Sequence, residues 1–159
     1  MNFETAFNRL ISHEGGYVND PRDPGQETAF GISKRSYPDV DIKNLTRNGA
    51  RAIYLRDFWH QAQMDKLAPA LAFQVFDAAV NHGIQTAIRL LQRAADVADD
   101  GHVGPVTLAA VNGKSVTDML ILFIAERIDF WTKLSTWSTF GKGWARRAAA
   151  NLRYAAQDS

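Results

Sequence analysis

The chain is expected to fold as an all-α protein carrying one small β-hairpin or turn-rich segment. Three observations point there. Apolar residues recur at helical spacing in most of the chain. One dense cluster of Gly, Pro and polar residues interrupts that pattern between residues 15 and 33. Elsewhere no stretch alternates long enough to make a sheet of any size.

The elements follow in order. Phe3, Phe7, Leu10 and Ile11 stand at i, i+4, i+7 and i+8, a first helix with one apolar stripe. Gly15 and Gly16, which follow Glu14, end it, because paired glycines favour non-helical backbone. Residues 15–33 hold two Asp-Pro pairs and four glycines, with room for a small hairpin only. Helical spacing resumes after Thr46, with Ala50, Ile53, Tyr54 and Phe58 on one face. Leu71 to Val80 and Thr86 to Val97 are two further helical segments, parted by His82-Gly83. Asp99-Asp100-Gly101 makes a turn, and Pro105 suits the first position of a short helix. Asp118 to Trp131 and an Ala-rich helix from about Trp144 to Ala156 complete the set. No long linker or tandem repeat divides the chain. A single domain over 1–159 is expected, with lobes at about 1–67 and 68–159.

Composition excludes several kinds of chemistry. A length of 159 residues suits one domain with a real core. The absence of Cys removes disulfide scaffolds, thiol nucleophiles and thiolate zinc sites. The four histidines, at 13, 60, 82 and 102, are too scattered for a local metal motif, and the reading that follows implies neither a metal nor an organic cofactor. Ser33 lies in Gly-Ile-Ser-Lys-Arg, which is no nucleophile elbow, and there is no phosphate-binding loop or dinucleotide fingerprint. The longest apolar run, Met119 to Ala125, is too short to insert in a membrane, and the first 14 residues lack a signal-peptide core. A net charge of +1 gives no support for nucleic-acid binding. The basic excess gathers near the end, at Lys142, Arg146, Arg147 and Arg153. It reads either as a solvated helix face or as an attraction for a polyanion such as a bacterial wall.

Acid chemistry remains, concentrated in residues 14–28. Glu14 falls at the expected C-terminus of the first helix, where the helix dipole disfavours a carboxylate. Beside an apolar cleft wall the same disfavour would keep a proton on it near neutral pH. Asp23 follows nine positions later and Thr28 five after that. A glycosidase needs one group to protonate the leaving oxygen and a carboxylate to direct water or stabilise the anomeric cation. By spacing alone Asp20, Asp23 and Glu27 are equivalent candidates for the second role.

The string from Glu14 through Ser33 resembles the signature of glycoside hydrolase family 108, bacterial and phage N-acetylmuramidases of lysozyme-like all-α fold. The matching positions are Glu14, Gly15, Gly16, Tyr17, Asp23, Gly25, Thr28, Gly31 and Ile32. Gln26 replaces a family glycine; a positive φ there would strain the turn and could shift Thr28. Downstream, Ile53-Tyr54, Phe58-Trp59, Phe76 to Gly83, Leu91 to Ala94 and Asp100 to Thr107 are similar to the family's C-terminal half, a predicted peptidoglycan domain. In the last string Asp100-Gly101 would form the turn, Gly104-Pro105 start the helix and Thr107 hold its first turn.

The resemblance implies Glu14 as catalytic acid, Asp23 as base or charge stabiliser, and Thr28 as the hydroxyl that orients the water or Asp23, with inversion at the anomeric carbon. Tyr17, Tyr37, Trp59, Asn81 and Trp137 are candidates for sugar binding, since aromatic faces stack on pyranose rings and amides bond N-acetyl groups. The function implied is a monomeric muramidase cutting the β-1,4 bond between N-acetylmuramic acid and N-acetylglucosamine of bacterial peptidoglycan, as in a phage or prophage endolysin. Made in the cytoplasm without a signal peptide, such an enzyme would need a holin or a dedicated release pathway to reach the periplasm or wall. The rivals are a lytic transglycosylase, a non-catalytic wall-binding module and, more distantly, a helical nucleic-acid-binding domain.

Overall fold

A computed structural model of the chain describes residues 1–12, 16–22 and 24–159. Among the described residues six α-helices and a small sheet pack around a seventh, buried helix. In chain order they are α1 (Phe3–Ile11), β1 (Val18–Asn19), β2 (Glu27–Ala29), β3 (Ile32–Ser33), α2 (Arg47–Tyr54), α3 (Pro69–His82), α4 (Ile84–Ala94), α5 (Pro105–Asn112), α6 (Val116–Thr132) and α7 (Trp137–Asp158).

The helix starts follow local chemistry. Asn2, Thr46 and Ser115 each accept a backbone N–H of the first turn, at 3.1, 3.0 and 3.0 Å, capping α1, α2 and α6. Pro69 and Pro105 open α3 and α5, where a missing N–H is harmless. Gly83 (φ +92°) turns the chain from α3 directly into α4.

Helix α3 is the axis. Every residue from Ala70 to Ala79 is buried, so it has no solvent face over that stretch. Phe76 packs edge-on against Phe3, Tyr54 and Trp59, with centroids 5.5–6.0 Å apart, joining α1 and α2 to it. On its other sides α4, α6 and α7 pack directly. One contiguous core runs from Phe3 to Ala155. Arg9 of α1 makes a two-pronged pair with Asp158 in the last turn of α7 (2.7 and 3.3 Å), its guanidinium lying over the Tyr154 and Phe73 rings.

Four local features depart from expectation. The hairpin is a three-stranded antiparallel sheet, β1-β2-β3. The helix after Thr46 continues through a π-helical turn, Leu55–His60. Its i→i+5 spacing sets Trp59 after Tyr54 on the core side, and both rings meet Phe76. Helix α7 starts at Trp137, seven residues before Trp144, and runs through Gly141 and Gly143. Gly141 is needed there: a Cβ would lie 2.7 Å from the Trp137 ring, which crosses the helix at that point. Thr107, finally, is buried and bonded to Gln92 (3.1 Å) rather than to its own first turn. Gln92 also holds Asp100 Oδ1, the His102 carbonyl and the Gly101 N–H, so one amide of α4 organises the whole 100–107 connection.

Candidate active site

The segment between α1 and α2 carries the acidic signature. Helix α1 ends at Ile11, where the Ser12 N–H still reaches the Asn8 carbonyl (3.2 Å). Glu14 and Asp23 lie outside the described residues. Thr28 sits in β2, opposite Val18 of β1 and Ser33 of β3. Direct partners in an antiparallel ladder share a face, so Thr28 and Ser33 are on the side opposite to the buried pair Ala29 and Ile32.

The sheet is made by its turns. Phe30 (φ +52°) and Gly31 (φ +76°) form a two-residue loop between the paired Ala29 and Ile32, the left-handed backbone that matches strand twist. A phenylalanine resists that conformation. Its carbonyl is held by the Tyr54 hydroxyl, which donates to it at 2.7 Å and fixes the hairpin to α2. Gln26 has φ +59°, so the non-glycine residue at the family's glycine position does adopt the left-handed conformation.

Between β3 and the α3–α4 junction runs a groove with two parts, about 200 and about 470 Å³. Ser36, Tyr37, Phe58 and Gly83 line both. The Tyr37 hydroxyl donates to Asp57 (2.9 Å) on the π-helical turn; burial and that carboxylate push its pKa up to about 12. Asp57 is held below the usual carboxylate range, chiefly by Arg56 (2.6 and 2.9 Å), so it stays ionised. At the outer edge Tyr17 donates to Glu27 (2.7 Å).

On the other side of the α3 C-terminus lies a cavity of about 480 Å³, between α3 and α7. Its floor is the buried carboxylate of Asp77, which accepts from Arg127 (2.7 Å), Arg147 (2.8 and 3.0 Å) and Asn151 (2.8 Å). The two guanidiniums overcome burial and keep Asp77 ionised far below its ordinary range. His82 stands between groove and cavity, among Phe130, Trp131 and Trp144. Its Nε2 faces both the Trp131 indole N–H and the Asn81 amide (2.9 Å), so that nitrogen is the acceptor and the ring is neutral. Burial first, then Arg127 and Arg147, pull its pKa down to about 4.

The expected site residues separate accordingly. Thr28 is one strand pairing away from Ser33, which lines the groove. Tyr17 is exposed beside the sheet, Tyr37 lines the groove and Asn81 lines the cavity. Trp137 is 37% exposed at the start of α7, in tilted contact with Trp144. Trp59 is a correction. It is 2% exposed, packed between Phe3 and Phe76 with its N–H on Asp65 (2.7 Å), and offers no ring face to a sugar. Arg147 is another: its bonds to Asp77 remove it from the solvated basic cluster, while Arg146 and Arg153 are exposed. Sequence reasoning passed over Asp57, His82 and Trp144. Only His82 had a signal, its place in the Asn-His-Gly string before α4. Among the described residues no group of three His, Asp or Glu could hold a metal ion.

Residues 7–83 match the family model described as Glycosyl hydrolase 108, and residues 86–149 match the one described as Predicted Peptidoglycan domain. Among solved structures the chain is similar to Brucella abortus SagA, with TM-score 0.90 and 32% identity over 99% of this chain and 95% of that one. No curated protein matches.

Proposed function

Since the chain belongs to the glycosyl hydrolase 108 family, we propose that it is an N-acetylmuramidase, cutting the β-1,4 bond between N-acetylmuramic acid and N-acetylglucosamine in bacterial peptidoglycan. The observation that carries this reading is the match of residues 7–83, which include Glu14, Asp23 and Thr28, to the hydrolase family model. The adjoining match to a peptidoglycan domain names the polymer. In the proposed reaction Glu14 protonates the glycosidic oxygen, Asp23 activates or faces the water, and the Thr28 hydroxyl orients it. The groove beside Ser33 and Tyr37 is the proposed path of the glycan, with Tyr17 and Tyr37 as polar-edged aromatic contacts. A hydroxyl in the water-orienting role favours inversion. A phage or prophage endolysin, monomeric and released to the wall through a holin or a dedicated pathway, is the biological role proposed.

Digestion of purified sacculi with mass spectrometry of the new ends tests it. Muramic acid at reducing ends is the expected result. Anhydromuramic ends would make the protein a lytic transglycosylase, and bound but uncut sacculi a wall-binding module. Glu14→Gln removes the proton donor with little change of shape and should lower the rate at least ~100-fold. Retention of a tenth of the activity would remove Glu14 from the mechanism.

A further inference from the structure

His82 has no task in the hydrolysis proposed above, and its two ring nitrogens are used unequally. Nε2 faces the Trp131 indole N–H. An indole nitrogen only donates, so Nε2 accepts and the neutral ring carries its proton on Nδ1. Among the described residues nothing accepts from that Nδ1–H, and the atom is not sealed from solvent. His82 lines the larger part of the groove, next to Gly83, where a Cβ would meet nothing within 4 Å. The groove wall therefore carries an open donor.

That donor is held in place. Phe130, Trp131 and Trp144 surround the imidazole with centroids 5.1–5.9 Å away. A half-turn of the ring would set a C–H against the Trp131 N–H, so the hydrogen bond fixes the orientation too. With a pKa lowered to about 4, by burial first, the ring offers a neutral donor and not a cation. A neutral donor suits an uncharged oxygen, since it adds no charge to attract an anion. Phe58 and Ile84, both half-buried, line the same part of the groove. A donor sharing its wall with apolar side chains matches an acetamido group, whose carbonyl oxygen accepts and whose methyl gains from apolar contact.

We infer that His82 is a substrate-binding residue: its Nδ1–H donates to the carbonyl oxygen of a sugar acetamido group, whose methyl lies against Phe58 and Ile84. The inference deepens the glycan reading of the groove and rests on it for the identity of the polymer. It gives the open nitrogen a use that the bond to Trp131 does not supply.

Two substitutions divide the functions of the ring. In His82→Gln the longer amide sets its oxygen near the place of Nε2 and accepts from Trp131, but nothing donates at the place of Nδ1. In His82→Asn the shorter amide sets its NH2 near the place of Nδ1 and leaves Trp131 without an acceptor. The binding test is titration calorimetry of the full chain with two uncharged β-1,4-linked trimers. One is of N-acetylglucosamine; the other is of glucose, with hydroxyls in place of the acetamido groups. The wild type should prefer the acetylated trimer. His82→Gln should bind it about 5-fold more weakly, the effect of one neutral hydrogen bond, and His82→Asn within about 2-fold of wild type. Thermal melts should rank the variants the other way, since His82→Gln keeps the Trp131 bond. A merely structural histidine would lose binding and melting temperature together. Long-range nitrogen NMR of the wild type needs no variant to fold: it should show the Nδ1–H tautomer, with an Nδ1 signal that moves when the acetylated trimer is added. An Nε2–H tautomer, a static Nδ1 signal or no preference between the trimers overturns the inference. So does a His82→Gln variant that binds like wild type, or a folded His82→Asn variant that loses as much as His82→Gln. The sacculus digestion separates the two readings. A wild type that cuts glycan without this acetamido contact defeats only the role of His82, and one that makes the contact without producing new ends defeats only the hydrolase.

Discussion

The sheet region and the helical body around α3 are held together by different means. In residues 16–45 the strands are two or three residues long, and only Ala29, Ile32 and Ile42 contribute fully buried apolar side chains. Its shape comes from backbone conformations that resist formation, at Gln26 and Phe30, and from single hydrogen bonds that hold them, as Tyr54 holds Phe30. The body from α3 to α7 has a continuous apolar core and one buried ionic knot at Asp77. The difference teaches where each is vulnerable. The sheet can be adjusted in small steps, since each of its constraints is worth about 1 kcal/mol. The body fails in one large step if the knot is cut.

The largest expected effect is at that knot. Asp77→Ala leaves Arg127 buried without its counter-charge and should lower stability by about 3–5 kcal/mol. Removing the exposed Glu4, which pairs with Arg51, should change it far less, because solvent screens the pair. Urea unfolding of both variants gives the contrast, and similar losses would mean the body has no such concentrated weakness.

A smaller effect is expected from acid. His82 has a folded pKa near 4 against 6.5 when unfolded, so the unfolded chain takes up a proton that the folded chain refuses. Stability should therefore fall as pH drops from 6.5 to 4 and stop falling from this cause below 4. After allowance for its partial exposure the loss is about 1–2 kcal/mol. Asp77, whose pKa is depressed, adds a separate loss only below about pH 3.8. Thermal melts across this range should lose the upper step in His82→Gln and keep the lower one.

The smallest change sharpens the comparison from the sheet side. Gln26→Gly should raise stability by about 0.5–1 kcal/mol, some 2 °C in Tm, by relieving the left-handed backbone. Gln26→Ala retains the strain and should give no gain. A drop in Tm for the glycine variant would show that the Gln26 side chain compensates for its conformation.

The same division explains what could be read in advance. Helices α1, α2, α3, α4 and α6 were legible because their apolar spacing reports burial on one or more faces. The strained turns were legible only where a residue stood out of place, as Gln26 does. Trp59 misled because its neighbourhood was read at α-helical spacing, and the π-helical turn brings it to the core instead. The start of α7 misled because two glycines look like a helix end, while one of them is the gap in which Trp137 rests. Arg147 looked like one cation among several because its anion, Asp77, is 70 positions away in sequence.

The clasp between Arg9 and Asp158 has a consequence in time. These residues are 149 positions apart, so a growing chain cannot make the contact until 149 further residues have followed Arg9. A protein made from its N-terminus emerges with α1 early, but Arg9 gains its carboxylate and its Tyr154 ring only once the final turn of α7 has left the ribosome. The helix that leads into the hydrolase signature is thereby tied down only after α7 has been made, and the nascent chain lacks that anchor until then.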